Sequence, residues 1–255
     1  MSELALETIG LSKSFGGVRA VADLSFAVED GSIVALIGPN GAGKTTVFNL
    51  ITHLFSPDAG EVRLYGASLR RRGPNAIANL GLLRTFQTAR VFPGMTALEN
   101  VLAGAHRHTR VPAVAQMLWL PPALREEAAL RRQAEAMLDL VGLGRFADAP
   151  ASSLPMGGQK LVEVCRALMA RPRVLLLDEP AAGLNDAETA ELATLLRAVR
   201  DSGVTVVVVE HNMSLVMDVA DRVIVLDLGR LLAEGTPAQV QRDPRVIEAY
   251  LGADA

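Results

Sequence analysis

The chain has 255 residues, half of them hydrophobic, with a mean hydropathy of +0.27 and a formal net charge of −3. It nevertheless has no run of the roughly 18 consecutive apolar residues that a spanning helix needs, and Glu3 and Glu7 stand where a signal peptide would be basic and then apolar. The near-neutral balance excludes a sequence-independent nucleic-acid binder, and the one cysteine, Cys165, excludes an internal disulfide or a cysteine-based zinc site. The expectation is a soluble cytoplasmic chain with a large core and no nucleic-acid partner, built as one large domain or two small ones.

In chain order, the first 66 residues read as strands, with short β-branched and apolar runs broken at Gly16-Gly17 and at Asp30-Gly31. From Asn75 to about Arg145 the pattern is helical. LREEAALRRQAEAMLDLVGL places Leu124, Ala128, Leu130, Ala134, Met137, Leu138 and Val141 at helical spacing with charges between them. Beyond Arg171 short apolar strands (VLLLD, VTVVVVE, RVIVLD) alternate with helical segments, the mark of a parallel sheet buried on both faces. The fold class expected is α/β, with core segments 1–86 and 171–255 and a helical insertion over 87–170.

The segment GPNGAGKTT, Gly38 to Thr46, follows the strand Ser32 to Ile37 and precedes the helical run VFNLITHLF. That is the context in which a phosphate loop works. Gly38, Gly41 and Gly43 permit backbone conformations that let successive amides, through Pro39, Asn40 and Ala42, point at one anion. The helix that follows presents its positive end to the same phosphates. Lys44 would reach the β- and γ-phosphates, Thr45 would offer its hydroxyl to Mg²⁺, and Thr46 completes the motif. Only three of the 25 basic residues are lysines, so Lys44 stands out in a chain that otherwise uses arginine.

VLLLDEP, Val174 to Pro180, is a buried strand ending in two carboxylates, and open α/β sheets bind ligands at the carboxyl ends of their strands. Asp178 is placed to hold Mg²⁺, and Glu179, facing the other way, to polarise an attacking water. With a phosphate loop, that pair points to ATP hydrolysis and not to binding alone. His211 ends another buried strand; taken alone it reads as a polar residue closing that strand rather than as a catalytic one.

The order GPNGAGKTT, FQ, LPMGGQ, VLLLDEP, GLN and EH resembles the nucleotide-binding subunit of ATP-binding cassette (ABC) transporters over essentially the whole chain. The resemblance implies a P-loop NTPase fold with a mostly parallel core sheet, an N-terminal antiparallel β part and an inserted α-helical subdomain. It implies that Phe15 stacks on adenine and that Gln87 contacts Mg²⁺ or water and senses a membrane partner. It makes His211 the switch histidine at the γ-phosphate. ATP and Mg²⁺ are the implied cofactors.

Two motifs depart from the family's pattern. Counted ungapped back from Asp178, the signature LSGGQ corresponds to Leu154-Pro155-Met156-Gly157-Gly158. A shift of one residue gives Pro155 to Gln159, but the ungapped register also aligns Arg166-Ala167-Leu168 and is preferred. In either register the signature serine is absent, leaving the amides of Gly157 and Gly158 for the phosphate. Asn185 stands in the usual D-loop aspartate position, with Asp186 following.

RTFQTARVFPGMTALENVL, LDEPAAGLN, EHNMSLVMDVADRVIVLDLGR, AEGTPAQV and DPRVIEAYLG are similar to the ATPases of branched-chain amino acid importers. That resemblance implies a dimer with a second ATPase subunit, like or unlike, on two membrane permease subunits fed by a periplasmic solute-binding protein. The chain would lie peripherally on the cytoplasmic face of the inner membrane. Alternatives are a lipopolysaccharide-export ATPase, with a shorter insertion, and a soluble ABC ATPase of DNA repair or translation, which carries two cassettes or a coiled coil. A metabolite kinase would need an arginine-rich lid instead. The apolar cluster Val91, Phe92, Pro93 and Met95 has two readings, packing inside the chain or a groove for a coupling helix of the permease.

Overall fold

The computed structural model describes residues 3–85, 90–108, 117 and 120–251. Strands β1 (Leu4–Phe15) and β2 (Val18–Glu29) form an antiparallel hairpin turned at Gly16-Gly17. Strand β3 (Ile33–Ile37) is buried at every position and leads into helix α1 (Lys44–Ile51). Strands β4 (Ala59–Leu64) and β5 (Ala67–Ser68) return to the hairpin and give an antiparallel sheet ordered β2-β1-β4-β5. Helix α2 (Pro74–Asn79) precedes strand β6 (Leu82–Arg84), and helix α3 (Ala97–Ala103) begins at a Thr96–Glu99 capping box.

Helix α4 (Pro121–Leu140) and helix α5 (Met156–Met169) follow, then strand β7 (Val174–Asp178) and helix α6 (Asp186–Asp201). The chain ends with strand β8 (Thr205–Val209), helix α7 (Met213–Val219), strands β9 (Arg222–Asp227) and β10 (Arg230–Gly235), and helices α8 (Pro237–Gln241) and α9 (Pro244–Leu251). The second sheet runs β10-β9-β3-β8-β7-β6. All its neighbours pair parallel except β10, which is antiparallel to β9.

The α/β class with a mostly parallel core sheet and an antiparallel N-terminal sheet is therefore observed. Every residue of β3, β7 and β8 is buried. This explains why those strands read as continuous apolar runs: a strand covered on both faces has no solvent side to alternate with. The chain divides into two compact units, 1–84 with 173–179 and 196–255, and 85–172 with 180–195. The second unit thus takes in the segment after Glu179 as well as the helical stretch.

The helical reading from Asn75 onward is corrected between α2 and α3, where the described residues are strand, loop and turn. Gly81, at φ +95°, breaks away from α2, and Leu82–Arg84 then pair parallel with Val174–Leu176. Three residues on a sheet edge are too few to show a period, so the strand was hidden within a helical composition. On α4 the buried positions are Ala123, Ala134 and Leu138, whereas Leu124 is exposed, so the stripe is narrower than its spacing suggested. Cys165 is fully buried in α5, its thiol pushed up to about 12 by desolvation, as befits a small core residue.

Candidate active site

The loop between β3 and α1 is shaped by backbone on two sides. Gly38 has φ +151° and a Cβ there would stand 2.2 Å from the Leu226 carbonyl oxygen of β9. Gly43, at φ +99°, would put a Cβ 2.5 Å from the Ala20 carbonyl oxygen of β2. Neither position can carry a side chain without moving main chain. Gly41 faces open space at φ +81°, so only its conformation calls for glycine. The turn between β9 and β10 ties the loop down: Gly229 N–H donates to the Ala42 carbonyl at 3.0 Å, and Ala22 N–H donates to the Gly229 carbonyl at 2.8 Å.

Lys44 opens α1 and is 6% exposed. Its ammonium donates to the carbonyls of Gly38 at 2.7 Å and Pro39 at 2.9 Å. Burial holds its pKa below the usual lysine value, and the negative charges of Glu179 and Asp178 partly offset that. The lysine, the loop and both strand-end carboxylates thus form one electrostatic site. Thr45 is exposed and Thr46 half-buried on the first turn of the same helix.

Asp178, the last residue of β7, is 3% exposed. Its Oδ2 accepts from the Arg84 guanidinium at 2.6 Å, and Arg84 also donates to Asn49 Oδ1 on α1 at 2.6 Å. Glu179 follows in the left-handed region at φ +49°, a conformation disfavoured for a side-chain-bearing residue, while its N–H still donates to the Val209 carbonyl at 2.9 Å. Functional sites are where such strain is usually retained. Its Oε1 lies 3.3 Å from His211 Nε2, so the expected histidine and the expected base meet.

The buried Glu210 holds the turn between them and α7: its Oε2 accepts from the backbone N–H of His211 at 2.9 Å and of Asn212 at 3.1 Å. Asn212 in turn caps α7 through Leu215 N–H. Phe15 closes β1, exposed, edge-on to Phe55 with ring centroids 5.3 Å apart and with the Lys13 ammonium 5.5 Å above its ring. Gln87 lies outside the described residues.

The signature segment belongs to the second unit. Pro155 stands at the N-cap of α5 without a side-chain cap, and Gly157 and Gly158 lie buried in the first turn. A Cβ on Gly157 would meet Leu184 Cδ2 at 2.6 Å and Glu188 Oε2 at 2.9 Å. Gln159 Nε2 donates to the Leu154 carbonyl at 2.9 Å. Among the described residues no group of three or more histidine, cysteine or carboxylate side chains could hold a metal.

Arg84, Asn49, Glu210 and Phe55 escaped the sequence reading. Arg84 sits in the RTFQ segment, but nothing in one sequence says that it meets a carboxylate 94 positions away. Phe55 likewise reads as a helix end until β1 brings Phe15 beside it.

Comparisons with known proteins bear on the family and the fold. Residues 21–182 match the family model for ABC transporters, and residues 230–255 match the model for branched-chain amino acid ATP-binding cassette transporters. The chain is 44% identical over 253 residues to the high-affinity branched-chain amino acid transport ATP-binding protein BraF of Pseudomonas aeruginosa, with 99% of each chain covered. It is similar to a crystal structure of the ADP conformation of an ATP-binding cassette of an ABC transporter, with a TM-score of 0.82, 31% identity and 98% and 99% of the two chains covered. A dimeric structure of a bacterial ABC transporter cassette is also similar, with a TM-score of 0.76, 26% identity and 91% and 98% covered.

Proposed function

For a chain that belongs to the ABC transporter family and to its branched-chain amino acid group, we propose the role of ATP-hydrolysing subunit of an importer for branched-chain amino acids or related small solutes. The observation that carries the catalytic part is the joining of three features in one site. These are a phosphate loop in which Gly38 and Gly43 admit no side chain, a buried lysine under the influence of Asp178 and Glu179, and a histidine 3.3 Å from Glu179. The match over residues 230–255 and the full-length likeness to BraF favour this reading over a lipopolysaccharide-export or soluble ABC ATPase.

The residues fit a magnesium–nucleotide complex. Gly41 opens on free space in the loop, and the hydroxyl of Thr45 and the Asp178 carboxylate are the hard oxygen donors that Mg²⁺ prefers. Gln87 would complete that set. Bound Mg²⁺ would neutralise charge on the phosphate oxygens. Gly38, Pro39, Asn40, Gly41, Ala42, Gly43, Lys44, Thr45 and Thr46 would hold the phosphates, and Phe15 the adenine. Glu179 would take the proton of the attacking water, while Lys44 and His211 donate hydrogen bonds to the phosphoryl group.

The amides of Gly157 and Gly158 would face the nucleotide of a second ATPase subunit, so the working unit would be a dimer. The dimeric cassette structure among its structural neighbours supports that arrangement. Permease subunits, and indirectly a periplasmic binding protein, would be the other partners. No described helix is long and apolar enough to cross a membrane, and the placement proposed is peripheral, on the cytoplasmic face of the inner membrane.

Lys44→Ala and Glu179→Gln test the site together. Lys44→Ala is expected to lose nucleotide binding, and Glu179→Gln to keep it while hydrolysis falls at least about 100-fold, the scale of positioned acid–base catalysis. Hydrolysis at the wild-type rate in Glu179→Gln removes Glu179 as the base.

A further inference from the structure

Arg84 is the last residue of β6, beside β7 on the sheet edge, and its side chain is almost fully buried. It spans two elements. One nitrogen donates to Asp178 Oδ2 at 2.6 Å and another to Asn49 Oδ1 at 2.6 Å, and the guanidinium lies 5.5 Å from the Phe48 ring centroid. Asn49 and Phe48 belong to α1, the helix that begins with Lys44 and Thr45. A planar guanidinium offers donors in a fixed fork, so it fixes both partners at once in a way a lysine would not.

We infer that Arg84 is a positioning residue for the divalent metal: through the Asn49–Arg84–Asp178 chain it sets the Asp178 carboxylate against the helix that carries Lys44 and Thr45. This rests on the metal–nucleotide reading given above. Asp178 is buried, and removing the partner of a buried ion pair leaves its charge uncompensated at a strong cost. Groups that hydrogen-bond a metal-binding carboxylate hold its orientation, and their loss weakens metal binding roughly 10- to 100-fold. A bare charge argument gives the opposite sign, because Arg84 is a cation beside the cation site and its removal would then strengthen metal binding. The two accounts are separated by experiment.

The full chain is titrated with Mn²⁺ and ADP, reading bound Mn²⁺ by electron paramagnetic resonance, and with ADP in excess chelator by calorimetry. Arg84→Met is expected to weaken Mn²⁺ binding roughly 10- to 100-fold and to leave metal-free ADP binding unchanged, with Arg84→Lys restoring part of the loss. Unchanged or tighter Mn²⁺ binding in Arg84→Met overturns the inference. If Arg84→Met does not fold, Asn49→Ala carries the test, since it keeps the ion pair and removes only the anchor on α1. Weaker Mn²⁺ binding there supports the inference, and wild-type binding overturns it. A wild-type chain that binds no ADP would instead overturn the nucleotide reading itself.

Discussion

Asn185 stands where the family carries an aspartate, and the structure supplies a reason the exchange is tolerated. Its Oδ1 accepts from Glu188 N–H at 3.0 Å, and Glu188 Oε2 accepts from Asn185 N–H at 2.9 Å, a reciprocal cap at the start of α6. Asparagine and aspartate serve that cap about equally, whereas alanine has no acceptor. Asn185→Ala is expected to lower stability by about 1 kcal/mol and Asn185→Asp to leave it within a few tenths, read by chemical denaturation. Equal loss in both variants would show that the cap is not what the residue contributes. At this scale the sequence was most informative for Lys44, Asp178 and Glu179, since local motif and strand-end position already imply their chemistry, whereas His211 drew its expected role from the family resemblance alone. Arg84 and Glu210 were illegible because their partnerships depend on which strands become neighbours and how a turn folds back.

At the scale of elements, the phosphate loop takes its shape from packing against β2 and β9 as much as from its own glycines. The motif alone suggests that all three glycines serve backbone freedom, but they differ. Gly38 and Gly43 are also sterically closed, and Gly41 is not. Gly38→Ala should therefore cost roughly 1–3 kcal/mol of stability through strain and abolish nucleotide binding, because the carbonyl of Leu226 must move. Gly41→Ala meets nothing and is expected to cost less. Denaturation midpoints and ADP titrations of the two variants check this, and equal effects would contradict the steric account. The buried strands β3, β7 and β8 were legible as apolar runs, whereas β6 was not, because three edge residues carry no period.

For the whole molecule, the half-apolar composition without a spanning helix is explained by the doubly covered sheet, and the membrane role proposed falls to partner subunits. Phe92, Pro93 and Met95 are exposed in the second unit, with Phe92 47% accessible under the Arg166 guanidinium. That exposure favours the reading of this cluster as a permease contact over packing inside the chain. Phe92→Asp is expected to leave ATP turnover within about twofold, as surface changes usually do, while uptake by the assembled transporter falls away. Uptake that still tracks hydrolysis in the variant would return the cluster to an internal role. The same assay, run on the wild-type chain, tests the central claim most directly. The chain is reconstituted in liposomes with its permease subunits and a leucine-loaded periplasmic binding protein, and leucine uptake is followed against ATP hydrolysis. The account predicts that uptake requires ATP, rises with its hydrolysis, and stops in Glu179→Gln although that variant still binds ATP. Leucine uptake that continues undiminished with Glu179→Gln in the assembly would contradict it.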